Sequence, residues 1–594
     1  MTPDSLPDPD PPSPAMGFAL PSEIRDAIRA RVAALYGAER AEPVTDALER
    51  VAARLYAQNP DLQTQPRTLP QDPVLITYGD QITRPGEAPL ATLNAWVRAH
   101  LRDALGTVHI LPFFPFSSDD GFSVIDYRAV DPDLGEWTDV QTMADGTTLM
   151  FDAVINHASS KGPWFEGFRA DQEPFRRYFR VVGAGEDLSQ VTRPRTTPLT
   201  HEVATASGVK RVWTTFSADQ VDLNFNDPDL LVDIADVLLG YVAHGARLIR
   251  LDAVCFLWKV SGTTCIHLPG THQIIEIYRL LMDAVAPSVL LVTETNVPHE
   301  ENVSYFGDGW TEAQMVYNFA LPPLLLDAVY RNNAERLSDW AADLVMPSSH
   351  CCLFNMTATH DGIGVRGAQG RMTPAEVQGL ADQVKARGGL VSNRRLADGT
   401  DSPYELNITF FDALLPPDED PDSDCAIDRY LTAQAVALSL AGVPGIYIHN
   451  LFGSRSDHAA LVGVDVTQTE FKRLVNRQKF TWDGLEQLLA DADGRSARIF
   501  ARYTRLLALW RSVDAFAPTS PQQVLNLHPA VFAVRRGPPG DRDVICLHNL
   551  SGHAVDLAAP DLAPRTDLVS GDVVEGALWS LPAWSMRWLS QSMP

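Results

Sequence analysis

Three carboxylates stand where short apolar runs end: Asp252 in "IRLDAV", Glu294 in "VTETN" and Asp361 in "TATHDG". Each run is rich in Val, Ile, Leu or Thr, the composition of a buried strand. Carboxyl groups crowded in one cleft shift each other's titration, leaving one ionised and another protonated at neutral pH. That pairing suits retaining glycosyl transfer, in which one carboxylate attacks the anomeric carbon and the other acts as acid and base. Arg250, two residues before Asp252, shares its face of an extended strand and would keep that carboxylate anionic. His360 precedes Asp361, and "DAVINH" brings Asn156 and His157 to the end of an earlier run. Read alone, Arg250 and Asp252 could be a structural ion pair, and His157 a satisfied core histidine. Their convergence from several strands favours a site.

Positioning side chains from separate strands at one mouth requires a closed parallel sheet. Eight β-rich runs follow one another: "VLITYGD", "TVHILPFF", "TLMFDAVINH", "ARLIRLDAV", "SVLLVTETN", "AQMVYNF", "CCLFNMTATHD" and "GVPGIYIHN". Amphipathic helical stretches lie between several of them, among them "DLLVDIADVLLGYVAHG", with Leu231, Ile234, Leu238 and Tyr241 on one face. The expectation is a (β/α)8 TIM barrel of the α/β class over 71–154, 227–361 and 416–513, with its site at the C-terminal ends of the strands. Segments 155–226 and 362–415 are too long for plain connections and are expected to be insertions shaping that site. Residues 17–70 have helical spacing at Ile24, Ile28, Val32 and Leu35, predicting a helical extension, whereas the Pro/Asp-rich residues 1–16 are expected to be disordered. "AVFAVRRG", "DVICLHNL" and "WSMRWLS" predict a small all-β domain over 514–594.

Composition narrows the partners. Seventy-five acidic against 48 basic residues give a formal charge of -27 over 594 residues, which disfavours nucleic acid and anionic membranes. An anionic small substrate would need a local cluster of Arg or Lys. The six cysteines show no CxxC spacing, and the N-terminus lacks the basic-then-apolar pattern of a signal peptide, so a soluble cytoplasmic protein with free thiols is expected. "DGIGVRG" holds Gly362, Gly364 and Gly367 in GxGxxG spacing, but "AQGRMTPAEV" follows in place of a helix opening on the glycines. A tight turn beside Asp361 is the better reading.

In order along the chain, "DAVINH", "VDLNF", "IRLDAV", "VTET" and "TATHDGIG" resemble the signature segments of the α-amylase family (glycoside hydrolase family 13). "HILPFFPFSSDDGFSVIDYRAVDPDLGEW", "FALPPLLLDA" and "RLVNRQKF" look like its sucrose-phosphorylase subfamily. The resemblance implies Asp252 as nucleophile, Glu294 as general acid/base and Asp361 as transition-state stabiliser. It implies a glucose subsite of Asp119, Phe122, His157, Arg250, His360 and Arg477, with Phe216 and Phe256 beside it. No metal and no cofactor are implied, although Asn156 lies in a segment that binds calcium in many amylases; inorganic phosphate is a co-substrate, and a homodimer is compatible with the family.

A phosphorylase must bring phosphate to a glycosyl-enzyme flanked by carboxylates. Arg195 in "TRPRTTP" and Tyr404 in "SPYELN" match positions on the acceptor-site loops of the resembled enzymes. "ETNVPHEEN" and Glu405 depart from sucrose phosphorylase, and these segments with the helical extension look more like the glucosylglycerate phosphorylase branch. A glycerate acceptor would need a basic clamp from Arg195, Arg394 or Arg395, with Asn296 or His299 as hydrogen-bond partners. Sucrose, sucrose 6'-phosphate or glucosylglycerol phosphorylases are the neighbouring readings, an α-glucosidase a further one, and a non-catalytic sugar-binding barrel the remote one.

Overall fold

The computed structural model of the protein describes residues 18–540, 542–558, 564–576 and 578–591. The Pro/Asp-rich stretch 1–16 lies outside them. Eight strands, β1 Val74–Thr77, β2 Thr107–Ile110, β3 Thr148–Ala153, β4 Ala246–Leu251, β5 Leu290–Thr293, β6 Met315–Tyr317, β7 Cys352–Asn355 and β8 Val443–Tyr447, pair in parallel as a closed barrel, β8 returning to β1. All eight expected runs supply one strand each. The strands are buried on both faces, which is why they read as continuous apolar runs rather than as an alternation. Within that interior the polar residues stand out: the β3–β4 register sets Asp152 beside Arg250, and the β4–β5 register sets Arg250 beside Val292.

Helices α1 Ser22–Tyr36 and α2 Ala38–Gln58 turn at Gly37 and pack on α3 Pro228–Ala243 and α4 Pro269–Val285 of the barrel's outer ring. Ile28 and Val32 are buried there, and Arg31 Nε meets Glu276 Oε2 at 2.6 Å. The α3 helix shows how the sequence writes such an element. Asp227 caps it by accepting from the Asp229 N–H at 2.9 Å, Pro228 occupies the first turn, and Leu231, Ile234, Leu238 and Tyr241 are all buried. Each such large apolar side chain contributes roughly 1.5–3 kcal/mol by leaving water.

After β3 the chain forms two small antiparallel pairs, His157–Ser159 with Gln220–Asp222 and Thr200–Thr205 with Gly208–Trp213. After β7 it forms a three-stranded sheet of Ile363–Gly364, Asp401–Asn407 and Leu390–Arg395, with a helix over Pro374–Ala386. Both lie past the C-terminal ends of barrel strands. The last part of the chain contains a six-stranded antiparallel sheet including Val531–Arg536, Val544–Asn549 and Met586–Ser590, with its own small apolar core. No helix among the described residues is long and apolar enough to cross a membrane.

Candidate active site

Strand β4 delivers the opening charges. Arg250 is buried, with its Nη1 donating to Asp252 Oδ1 at 2.8 Å and to Asp152 Oδ1, and its Nη2 3.8 Å from Glu294 Oε2. Its guanidinium carbon lies 5.5 Å from the Phe122 ring and 5.3 Å from the Tyr317 ring. Asp152 is wholly buried and is also bonded to His109 Nε2 at 2.6 Å. A buried ion cluster of this kind is a poor way to gain stability, because desolvation offsets the attraction. Its effect here is geometric, since one fixed guanidinium touches both Asp252 and Glu294.

β4 ends at Leu251, and Ala253 then takes a left-handed conformation, φ 48°. That turn sends the Ala253 N–H to Glu294 Oε2 at 3.1 Å. The residue that follows one carboxylate thereby tethers the other. Burial raises Glu294 from an ordinary 4.5 to about 7, with Arg250 opposing and Asp252 and Asp361 adding to the rise. Burial also pushes Asp252 upward, against the pull of Arg250 and His157. Asp361 is shifted the other way. Burial would raise it, but Arg473, Arg477 and Arg250 together bring it below the usual carboxylate range.

The cations around Asp361 form a second cluster. Arg477 donates through Nη2 to Asp361 Oδ1 at 3.1 Å, through Nη1 to Asp119 Oδ1 at 3.1 Å and Asp120 Oδ2 at 2.9 Å, and through Nε to the His360 carbonyl. Arg473 reaches Asp361 Oδ1 at 3.1 Å and Asp119 Oδ2 at 3.0 Å. Gly362, with φ +93°, makes the turn after Asp361; a Cβ there would sit 2.3 Å from the Leu406 carbonyl oxygen. This is the tight turn that the glycine spacing implied. His360 stacks on Phe122 at 5.0 Å and 6°, and burial drives its pKa far below 6.5. Neither of its ring nitrogens has a hydrogen-bond partner. Its Nε2 lies 3.4 Å from Asp361 Oδ1, so the neutral ring sits behind the cavity wall against that carboxylate.

One cavity joins these parts. It is lined by Asp252, Glu294 and Asp361 together with Asp119, Phe122, His157, Phe216 and Phe256, and by Arg195, Asn296, Tyr404 and Glu405. The alpha amylase catalytic domain model matches residues 104–342. A glucosylglycerate phosphorylase of Allomeiothermus silvanus is 46% identical over 562 residues, spanning 94% of this chain and 98% of that protein. One from Escherichia coli is 40% identical over 519 residues, 87% and 91% of the two chains. The chain belongs to the α-amylase family, in its sucrose-phosphorylase-like branch. The crystal structure of sucrose 6F-phosphate phosphorylase from Thermoanaerobacter thermosaccharolyticum, at 23% identity, shares the fold with a TM-score of 0.69 over 86% of this chain and 99% of that one.

On the open side of this α-amylase-family site, Arg195 lies 5.4 Å from the Phe216 ring and 5.2 Å from the Tyr404 ring, with Nη2 3.4 Å from Glu405 Oε1. Asn296 donates to the Tyr404 carbonyl at 3.3 Å, and its Oδ1 is buried without a partner. Arg250, His360 and Arg477 stand behind the lining, holding Asp252, Phe122 and Asp361 respectively, and His299, Arg394 and Arg395 do not line the cavity either. His299 packs near Trp340, and Arg395 is tied to Asp401. Where many amylases bind calcium, Asn156 Oδ1 accepts from Lys259 Nζ at 3.2 Å, and that ammonium lies 2.8 Å from Asp222 Oδ2.

Sequence reasoning missed Asp152 and Arg473. Asp152 carried the same signal as Asp252, an acid inside an apolar strand. Arg473 carried another, standing four residues before Arg477; it grips Glu405 at both oxygens, 2.8 and 3.2 Å. Gln220, which donates to the Phe122 carbonyl at 3.0 Å and lines the cavity, gave no signal because its contact spans 98 residues.

Proposed function

We propose that the protein is a retaining phosphorylase that converts 2-O-α-D-glucosylglycerate and inorganic phosphate to α-D-glucose 1-phosphate and glycerate, and the reverse. The observation that carries the acceptor is the likeness to glucosylglycerate phosphorylases over nearly the whole chain. Chemistry follows from the site. Asp252 attacks the anomeric carbon as Glu294 gives its proton to the leaving glyceryl oxygen, breaking the glycosidic bond and forming a β-glucosyl ester on Asp252. Glu294, now ionised, takes a proton from phosphate as a phosphate oxygen displaces Asp252 and restores the α configuration.

The titration directions of Glu294 and Asp361 support their roles, whereas burial pushes Asp252 upward and Arg250 opposes that rise. A carboxyl near 7 can both give and take a proton at neutral pH, whereas one held low by Arg473 and Arg477 stays anionic. Asp361 and Asp119 would then hold sugar hydroxyls, with His360 and Arg477 fixing them from behind the cavity wall. Arg195 and Tyr404 would face the incoming phosphate, and the segments 155–226 and 362–415 would wall the acceptor side. Domain limits and a cytoplasmic location belong to the same reading, since phosphorolysis needs abundant phosphate.

The test is acceptor dependence. Phosphate released from α-glucose 1-phosphate is followed with glycerate, glycerol, fructose, fructose 6-phosphate or no acceptor. Release that depends on glycerate is expected. Equal release in every tube would make water the acceptor and the protein a hydrolase.

A further inference from the structure

Every guanidinium or ammonium group described at the site so far is already committed to carboxylates. Arg250 is held by Asp152 and Asp252, Arg477 by Asp119, Asp120 and Asp361, Arg473 by Glu405 and Asp119, Arg195 by Glu405, and Lys259 by Asp222. Two arginines behind Tyr404 are different. Arg366 and Arg394 have no carboxylate within ion-pair distance among the described residues, and the Nε of each is buried without a hydrogen-bond partner. The backbone places them together. The Val365 N–H donates to the Tyr404 carbonyl at 3.1 Å, so Arg366 emerges beside Tyr404 and two residues beyond Gly364, which lines the cavity. Arg394 pairs across from Ser402, next to the bulge at which Tyr404 is the extra, unpaired residue, so its place in the small sheet adjoins that of Tyr404. Each arginine lies in the field of the other and of the Tyr404 hydroxyl, and burial lowers both, Arg394 to about 10. Glu301, the acid that also feels them, has its carboxylate 3.2 Å from His267 Nε2.

Glu301 acts on both arginines through its field but is in ion-pair contact with neither, and two like charges so placed and partly desolvated favour an added anion. We propose that Arg366 and Arg394, which stand behind the lining residues Gly364 and Tyr404, form a seat for a small oxyanion next to the acceptor end of the cavity, taking the carboxylate of a hydroxy acid or an oxygen of phosphate. The proposal rests on the phosphorylase reading and deepens it. In a chain of formal charge -27, it supplies the local positive field that an anionic co-substrate needs. It also gives glycerate an advantage over neutral glycerol, because charge-assisted contacts to a carboxylate are absent in the latter.

The test uses full-length Arg366→Gln and Arg394→Gln, with Arg366→Lys and Arg394→Lys as variants that keep the charge. Initial rates are measured against glycerate and against glycerol in the synthetic direction, and against phosphate in phosphorolysis. Loss of one charged contact should raise the KM for the anion roughly ten- to a hundredfold, with a much smaller change for glycerol and partial recovery in the Lys variants. A rise for glycerate alone assigns the seat to the acceptor carboxylate, and a rise for phosphate alone assigns it to phosphate. Equal losses with glycerate and glycerol, or none with either anion, overturn the seat and leave the arginines as supports for Tyr404. Should wild-type phosphate release not depend on glycerate, the phosphorylase reading fails separately. The seat is then judged by calorimetry of glycerate and inorganic phosphate binding to wild type and variants, and unchanged affinities reject it.

Discussion

Replacing Glu294 by Gln removes a charge and keeps a shape, so activity and stability should move in opposite directions. In the folded protein burial holds this carboxyl protonated up to about pH 7, while an unfolded chain releases the proton near 4.5. Between those values the folded state carries more protons, so the contribution of Glu294 to stability falls as pH rises through the window. The full difference is worth about 3 kcal/mol against the ionised form. Gln escapes it. Relative to wild type, the variant should therefore gain about 2 kcal/mol between pH 5.5 and 8.5, which for a chain of this length is a shift of only about 1–2 °C in Tm. Paired calorimetric scans at matched pH and scan rate would resolve it. Over the same range kcat should drop by 10²- to about 10⁴-fold. For transfer to the enzyme, the wild-type rate should fall above about pH 7, where the acid has lost its proton. If the two proteins' Tm values ran parallel with pH, or if the variant lost stability more as pH rose, the buried-acid argument would be wrong.

Asp252→Asn should lower kcat on the order of 10⁴-fold or more while leaving the protein folded, as checked by steady-state kinetics and circular dichroism. Asp152→Asn weakens the anchor of a buried guanidinium, and the thermal transition should register a loss of roughly 3–5 kcal/mol, with slower turnover because Arg250 is no longer fixed against Asp252. Glu405→Gln frees Arg473 and Arg195 of a neutralising charge. The KM for phosphate should fall by about threefold or more, and a rise would place phosphate elsewhere.

The barrel was legible because its strands are short, apolar and separated by helices whose caps and spacing are local. Asp252, Glu294 and Asp361 were legible for a related reason: a charge at the end of an apolar strand is conspicuous. Long-range partners were not. Whether Arg394 or Arg395 faces the site depends on the bulge at Ser392/Asn393 in their small sheet, which sets the side of every later residue. Arg366 drew no attention, since its neighbours Tyr404 and Arg394 are distant in sequence and meet it only through the sheet built after β7. Glu405 looked like an acceptor-site substitution, yet its main contacts are the two arginines it neutralises.

The most direct test of the central claim is to trap the covalent intermediate. Wild-type protein mixed with α-glucose 1-phosphate, quenched in acid within the first turnovers and digested, should yield a peptide spanning Asp252 that carries one hexosyl group, and adding glycerate before the quench should discharge it. Absence of the adduct together with a product of inverted anomeric configuration would contradict the account.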